Sequence, residues 1–216
     1  KLAAHKNTFI RPSPAGDTLG GVAAKTREIM LICEAAGYDV VLVETVGVGQ
    51  SETRVSTMVD FFLALLIAGA GDELQGIKRG ILEVADAVAI NKADGDNLAR
   101  AERACKEYET ALHLVMPSSR SWTPPVLTCS SVTEGGTADV WRTVEDHRRI
   151  MNETGEFGQR RRQQALDWMW TMVEDGLKQR LYENEEVKRK IPKISEKVEK
   201  ELISPSAAAE EILSYI

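Results

Sequence analysis

The sequence has few of the residues that build disulfide frameworks and zinc sites. Its 216 residues include three cysteines and three histidines. The cysteines, Cys33, Cys105 and Cys129, are far apart, odd in number and contain no CxxC pair. Such a set predicts no disulfide framework and fits a reducing compartment, so we expect a cytoplasmic protein. The scattered histidines give none of the spacings of the usual zinc sites.

Long hydrophobic runs and an excess of basic charge are missing as well. The longest apolar run, at 61–70, is about half the length of a membrane-spanning helix. Residues 1–6 lack the apolar segment of a secretion signal. The net charge of -6 and the pI near 5.3 disfavour nucleic acid, because a phosphate backbone is bound by basic surface. We therefore expect neither a membrane nor a nucleic acid as partner.

What the sequence does contain is an alternation of strand and helix signals up to residue 154. Short continuous apolar runs are typical of strands buried on both faces of a parallel sheet. Four such runs occur, at 40–43, 61–67, 85–90 and 125–129. Helical periodicity is found at 21–36, 75–84, 96–114 and 137–153. Gly37 is placed to end the first helix. The alternation predicts an α/β fold with a mostly parallel sheet.

From residue 155 onward the strand signals stop. A long helical pattern opens near Arg160, and its apolar stripe runs from Leu166 to Leu181. A second helix carries a stripe from Val187 to Leu202, and a short Ala-rich helix follows over 205–216. We therefore predict two domains, an α/β domain over 1–154 and an all-helical extension over 155–216.

The loop after the first apolar run contains residues suited to phosphate and Mg²⁺. Ligands of open α/β sheets bind beyond the carboxyl ends of the strands. Residues 44–52 read ETVGVGQSE, in which Gly47 and Gly49 let the backbone approach a phosphate closely. Glu44 is placed to hold Mg²⁺ through water. Gln50 is a candidate for positioning a water molecule. The alternative interpretation is a glycine turn beside a solvated glutamate.

The loop after the third run reads NKAD and predicts recognition of guanine. The carboxylate of Asp94 would accept hydrogen bonds from N1–H and the 2-amino group of guanine. Adenine lacks that pair of donors and would leave the carboxylate unpaired. Asn91 would tie the loop to its neighbours, and the stem of Lys92 would lie along the base plane. Backbone N–H groups of the turn after the fourth run would contact guanine O6; its residues are Ser130, Ser131 and Val132.

A third loop, at 69–78, places glycines around two carboxylates ahead of a helix start. One interpretation is a loop with an acidic first turn, which is favourable for the helix dipole. The other is a mobile segment that senses the nucleotide. The candidate switch residues of this loop are Asp72, Glu73 and Lys78.

Together these motifs resemble the MeaB/ArgK family of P-loop GTPases. The resemblance extends over essentially the whole chain, through segments 9–14, 18–21, 44–52, 71–78, 91–94 and 163–170. It implies an α/β fold of the SIMIBI type, with a GTPase domain over 1–154 and a helical dimerisation arm over 155–216. It implies GTP or GDP and Mg²⁺ as cofactors. It also implies a GTP-hydrolysing chaperone that gates cobalamin loading and protects an adenosylcobalamin-dependent acyl-CoA mutase, methylmalonyl-CoA mutase.

The resemblance assigns roles to the first and third loops. Residues 44–50 resemble the second switch. Glu44 would lie near Mg²⁺ and the Gly47 amide near the γ-phosphate, so these two are the candidate catalytic residues. Gly49 and Gln50 belong to the same switch. Residues 72–78 resemble the family's extra switch, which communicates with the mutase.

The helical tail resembles the arm through which this family forms homodimers. Its apolar stripe from Val187 to Leu202 agrees with that role, because it is longer than a solvated helix needs.

One motif of the family has no counterpart in this sequence. No GxxxxGK[ST] run is present, although that loop cradles the β- and γ-phosphates in nucleoside triphosphatases. Residues 20–26 end in Lys-Thr but have no glycine before the lysine and follow no predicted strand. We expect the sequence to be part of a longer protein. The part alone is expected to expose apolar surface and not to hydrolyse GTP.

Two alternatives remain open. The first is a GTPase for nickel or cobalt metallocentre assembly, although such proteins usually carry clustered Cys and His ligands, which this sequence lacks. The second is a non-catalytic module that dimerises and binds the mutase.

Overall fold

The computed structural model of the chain describes residues 5–12, 19–45, 51–68, 79–114 and 119–215, without the side chains of 19–24, 51–53 and 79. The chain divides into two compact units, Lys1–Gln164 and Ala165–Ile216. The sequence-based boundary at residue 154 lies before this division. The unit boundary falls later because the first turns of a long helix, at Arg160, Arg161 and Gln164, bond to residues of the first unit.

The first unit contains a sheet of three parallel strands. They are β1 Leu63–Ile67, β2 Ala87–Asn91 and β3 Val126–Thr128, in the order β1-β2-β3. Leu63 pairs with Ala87, and Val88 pairs with Val126. The central strand is completely buried from Ala87 to Ile90, as its continuous apolar run predicted. The predicted α/β fold with a parallel sheet is therefore confirmed.

The helices of the first unit follow the predicted order. They are α1 Leu19–Ala35, α2 Ser51–Ser56, α3 Arg79–Val84, α4 Leu98–Leu112, α5 Thr137–Glu153 and the start of α6 Glu156–Glu183. A short 3₁₀ turn, Gly95–Asn97, precedes α4. Helix α4 packs on β2 and β3 through its buried Ala101, Ala104 and Tyr108. The short helix α2 was not predicted, since its sequence overlaps the glycine loop.

Helix α1 is terminated at Gly37, the residue that the sequence analysis placed at its end. Gly37 adopts a positive φ of 87°, where a side chain is disfavoured. The Gly37 N–H donates to the Glu34 carbonyl at 3.0 Å, and the Tyr38 N–H donates to the Cys33 carbonyl at 3.1 Å. This pair of bonds is a Schellman motif, which satisfies carbonyl groups of the last helical turn.

The apolar run at 40–43 does not form the strand that was predicted there. Among the described residues, no backbone hydrogen bond joins 39–45 to another segment, and a strand exists only within a ladder of such bonds. Leu42 is 85% exposed, and Leu65 and Ile67 of β1 are also exposed. The run indicated apolar character correctly, but apolar character alone does not supply a pairing partner.

The elements of secondary structure in the described residues of the second unit are all helices. It contains the remainder of α6, followed by α7 Glu185–Glu199 and α8 Pro205–Leu213. Both later helices begin at side-chain caps: Asn184 Oδ1 accepts from the Glu186 N–H at 2.9 Å, and Ser204 Oγ accepts from the Ala207 N–H at 3.2 Å. The predicted helical extension is present. No helix in the described ranges is long and apolar enough to span a membrane.

The α7 stripe is largely covered within this unit. Val187 and Ile194 are buried, and so is Ala208 of the neighbouring α8. Leu202, at the end of the stripe, remains 69% exposed. The stripe was interpreted as a dimerisation surface because sequence periodicity does not distinguish a helix that packs within its own chain from one that packs on a partner.

Candidate nucleotide-binding site

Two loops meet at the carboxyl edge of the sheet, where a ligand of an open α/β sheet binds. The NKAD loop, 91–94, follows β2, and the turn 129–136 follows β3. The Cys129 N–H donates to the Ile90 carbonyl at 2.9 Å, and the Ala93 N–H donates to the Cys129 carbonyl at 2.9 Å. These bonds continue the ladder beyond the strands. They bring two of the sequence-predicted loops into direct contact.

The two loops are also joined through Ser130 and Asp94. The Ser130 hydroxyl donates to Asp94 Oδ2. The Ser130 hydroxyl oxygen also accepts from the N–H groups of Val132 and Thr133, at 3.2 Å each. Ser130 is 1% exposed, so no water competes for its hydroxyl. Since a carboxylate has about four acceptor positions, this bond orients Asp94 and leaves an acceptor position on each of its two oxygens for a ligand.

Most backbone amides of this turn are engaged within the turn. The Ser130 N–H donates to the Gly135 carbonyl at 2.8 Å. The N–H groups of Val132 and Thr133 donate to the Ser130 hydroxyl. The Ser131 N–H has no acceptor among the described residues. Of the three residues predicted to offer an amide to guanine O6, Ser131 is therefore the one whose amide is available.

A glycine makes this compact turn possible. Gly136 adopts a φ of +73° at the start of α5. A Cβ atom at this position would lie 2.1 Å from the Thr128 carbonyl oxygen. Only a residue without a side chain permits the backbone to return so close to the end of β3.

The NKAD loop has an unusual backbone conformation at its second residue. Lys92 has a φ of +59°, in the left-handed region. Its N–H donates to Asn91 Oδ1 at 2.7 Å, and its carbonyl accepts from Asn97 Nδ2 at 2.9 Å. The Asn97 N–H also donates to the Asp94 carbonyl at 3.0 Å. Sequence reasoning missed Asn97, although its place three residues after Asp94 could have drawn attention to it.

A buried thiol lies beside the loop. Cys129 Sγ is 3.8 Å from Asn91 Oδ1, a weak contact between the strand ends. Burial raises the pKa of the Cys129 thiol. The thiol is therefore neutral at physiological pH and acts as a weak donor to Asn91 Oδ1.

The remaining candidate residues lie elsewhere. Glu44 is exposed and makes no ion pair with the described residues. No hydrogen bond joins it to the NKAD loop. The described residues contain no group of three or more His, Cys, Asp or Glu side chains that could hold a metal ion. The other candidates lie outside the described residues: Gly47, Gly49, Gln50, Asp72, Glu73 and Lys78.

A second polar cluster, unforeseen from the sequence, surrounds Asp86 at the amino end of β2. Asp86 is buried and receives two hydrogen bonds from Arg160, at 3.0 and 2.9 Å, and one from the Phe62 N–H at 2.8 Å. Its backbone carbonyl accepts from Trp122 Nε1 at 2.7 Å. His147 Nε2 lies 3.7 Å from the carboxylate. Because the cluster lies at the opposite end of β2 from Asn91, we interpret it as structural.

Several known proteins are similar to this chain. A putative GTPase of Caulobacter vibrioides is 51% identical over 99% of this chain and 65% of its own length. GTPase ArgK of Escherichia coli is 43% identical over 100% of this chain and 65% of its own length. The mitochondrial methylmalonic aciduria type A homolog of Mus musculus is 41% identical over 99% of this chain and 51% of its own length. The chain thus spans less than two thirds of these relatives.

The same similarity is found in structure and in the family model. The crystal structure of an LAO/AO transport system kinase matches with a TM-score of 0.81 and 40% identity, over 99% of this chain and 67% of that one. The model of the methylmalonyl Co-A mutase-associated GTPase MeaB matches residues 1–186. The chain belongs to the MeaB family of methylmalonyl Co-A mutase-associated GTPases.

Proposed function

We propose that the protein binds and hydrolyses GTP, and that this chain contributes the part of the site that recognises the guanine base. The observation that carries the proposal is the bond between the buried Ser130 hydroxyl and Asp94 at the carboxyl edge of the sheet. A carboxylate oriented in this way is prepared to accept two parallel N–H donors. Membership of a GTPase family supports the same function.

Guanine recognition would combine three contacts. Asp94 accepts from N1–H and the 2-amino group, the Ser131 N–H donates to O6, and the stem of Lys92 covers the base plane. Adenine has an amino group where guanine has O6 and lacks the N1–H donor. Its binding would leave a partly buried carboxylate unpaired, which costs about 1–3 kcal/mol.

The phosphate end of the site is proposed from the glycine loop. Glu44 would hold Mg²⁺ through water, and the Gly47 amide would donate to the γ-phosphate. Gly49 and Gln50 would move with the same switch. Mg²⁺, when bound, neutralises charge on the β- and γ-phosphates. The carboxylate of Glu44 is exposed and forms no ion pair with the part of the chain that the structure describes, which supports this assignment.

The partner that we propose is an adenosylcobalamin-dependent methylmalonyl-CoA mutase. The family description names that mutase. GTP would order the switches and hydrolysis would relax them, so that nucleotide state gates cobalamin loading and protects the mutase. The segment with Asp72, Glu73 and Lys78 would contact the mutase. The three free thiols support a reducing, cytoplasmic setting.

We further propose a homodimer formed through α6. The second-unit part of this helix carries an exposed apolar stripe with the three- and four-residue spacing of one helix face. Its residues are Leu166, Met169, Trp170, Val173 and Leu177, each between 41% and 59% exposed. An apolar face of this length on a soluble helix marks an association surface. It takes the role first assigned to the α7 stripe.

Nucleotide binding by the full-length protein tests the proposal. Calorimetry with GDP and ADP should show a strong preference for GDP. Asp94→Asn should weaken GDP binding by roughly tenfold or more and shift preference toward xanthosine diphosphate, whose 2-oxo group accepts a hydrogen bond. Asp96→Asn is the matched control, because Asp96 is exposed in the 3₁₀ turn that follows the loop and its side chain forms no hydrogen bond or ion pair with the described residues. Equal affinity for GDP and ADP in the wild-type protein would refute guanine recognition.

A further inference from the structure

We propose that Asn97 is a positioning residue that clamps the base-recognition loop and thereby sets the alignment of Asp94. The inference deepens the proposed function and rests on it. Asn97 lies outside the NKAD motif, in the last position of the 3₁₀ turn that leads into α4. It reaches back to that motif at two points.

The clamp consists of one side-chain bond and one backbone bond. Asn97 Nδ2 donates to the Lys92 carbonyl at 2.9 Å. The Asn97 N–H donates to the Asp94 carbonyl at 3.0 Å. Lys92 and Asp94 stand on either side of Ala93, so a single residue restrains both ends of the segment that presents the carboxylate.

The clamp acts where the backbone most needs support. Lys92 has a φ of +59° although it carries a Cβ atom, and this conformation persists only when the surroundings hold it. Two hydrogen bonds restrain this residue: its N–H donates to Asn91 Oδ1, and its carbonyl accepts from Asn97 Nδ2. Loss of the second would allow Lys92 to relax toward negative φ. Because Asp94 follows two residues later, its carboxylate would turn away from the base.

The bond to Lys92 also explains a helix start without a side-chain cap. Asn97 occupies the N-cap position of α4, where an asparagine oxygen usually accepts a backbone N–H of the first turn. Here no such bond forms. The side chain instead donates its amide protons to the NKAD loop. Asn97 therefore does not cap α4 with its side chain. Its side chain can align the NKAD loop without also stabilising the start of the helix.

Three substitutions in the full-length protein test the clamp. Asn97→Asp removes the donor but keeps an N-cap residue as good as asparagine, so the thermal stability should not fall. Asn97→Ala removes the donor without adding charge. Both should weaken GDP binding by roughly threefold to tenfold, the value of one hydrogen bond. Asn97→Gln retains a donor and should recover part of the loss. A loss in Asn97→Asp alone would be a charge effect and would overturn the clamp.

Comparison of GDP with inosine diphosphate provides a readout that a merely structural role would not change. Inosine lacks the 2-amino group, so the ratio of the two affinities reports how well Asp94 meets that group. The ratio should fall at least about twofold in Asn97→Ala. Equal weakening of both nucleotides would show that Asn97 supports only loop stability, contrary to the proposal.

A double substitution tests the connection to Lys92. Glycine adopts positive φ without strain, so Lys92→Gly should make the loop less dependent on its clamp. The effect of Asn97→Ala should shrink from roughly threefold to tenfold to about twofold or less in the Lys92→Gly background. An undiminished effect would contradict the clamp. If the wild-type protein binds GDP no more tightly than ADP, the proposed function is wrong. If it prefers GDP and Asn97→Ala binds GDP as tightly as the wild-type protein does, only the clamp is wrong.

Discussion

The hydroxyl of Ser130 connects the carboxylate of Asp94 to the turn after β3, because it donates to Asp94 and accepts from the amides of Val132 and Thr133. One buried oxygen therefore fixes both the residue proposed to recognise guanine and the turn proposed to contact O6. The two loops are 36 residues apart in the sequence. They form one unit at the edge of the sheet.

Substitution of Ser130 should therefore weaken guanine binding more than substitution of its neighbour. Ser130→Ala removes the bond that orients Asp94 and leaves two turn amides without an acceptor. We expect GDP affinity to fall roughly threefold to tenfold. Ser131→Ala is the matched control, since the proposed contact uses its backbone and should be retained. Calorimetric titration with GDP measures both variants. Equal GDP affinities of Ser130→Ala and Ser131→Ala would contradict the role of the hydroxyl.

The ion pair of Asp86 with Arg160 should be important for stability. Asp86→Ala leaves the Arg160 guanidinium and the Phe62 N–H without their shared acceptor, and removing one partner of a buried pair costs about 3 kcal/mol or more. We expect a clear fall in the free energy of unfolding of the full-length protein in urea. Asp139→Ala breaks an exposed pair with Arg142 and should have no measurable effect. Similar changes in the two variants would contradict the importance of burial.

Much of this arrangement could be predicted from the sequence, and the reasons for the exceptions are physical. The apolar run before Asn91 located a buried strand, and strand order places its end at the ligand-binding edge. The hydrogen bonds from Ser130 to Asp94 and from Arg160 to Asp86 join residues that are distant in the sequence, so no local sequence pattern predicts them. Asn97 was missed by sequence reasoning, because its amide group bonds to the Lys92 carbonyl and not to the first turn of α4. Local rules failed where tertiary contacts competed for the same group.

Acid should destabilise the first unit partly through His147. Burial lowers the pKa of His147, and the nearby Asp86 only partly opposes this. The unfolded chain therefore takes up a proton first as the pH falls below about 6.5, and stability is lost from there down to the folded-state pKa. This one group contributes at most about 1.4 kcal/mol per pH unit in that window. Above pH 6.5 both states are neutral at this position and the contribution vanishes.

Replacement of the His147 imidazole tests whether this group contributes to the loss of stability in acid. His147→Phe keeps an aromatic ring beside Phe61 and Trp122, whose rings meet His147 edge to face at 5.0 and 5.1 Å. Urea unfolding between pH 5 and pH 7.5 should show a weaker loss of stability with acid than in the wild-type protein. His113→Phe, at an exposed position after α4, is the control and should leave the slope unchanged. An unchanged slope in His147→Phe would show that this histidine is not the group responsible.

The exposed stripe on α6 predicts a dimer that one charge should disrupt. Trp170 is the most exposed member of the stripe, at 59% in the single chain. Trp170→Glu would bury an unpaired carboxylate in an apolar interface, which costs far more than an exposed charge. Light scattering with size-exclusion chromatography should show the full-length wild-type protein as a dimer and this variant as a monomer. Thr171→Glu adds the same charge about 100° around the helix, away from the stripe, and should leave the dimer intact. A dimer that survives Trp170→Glu would place the interface elsewhere.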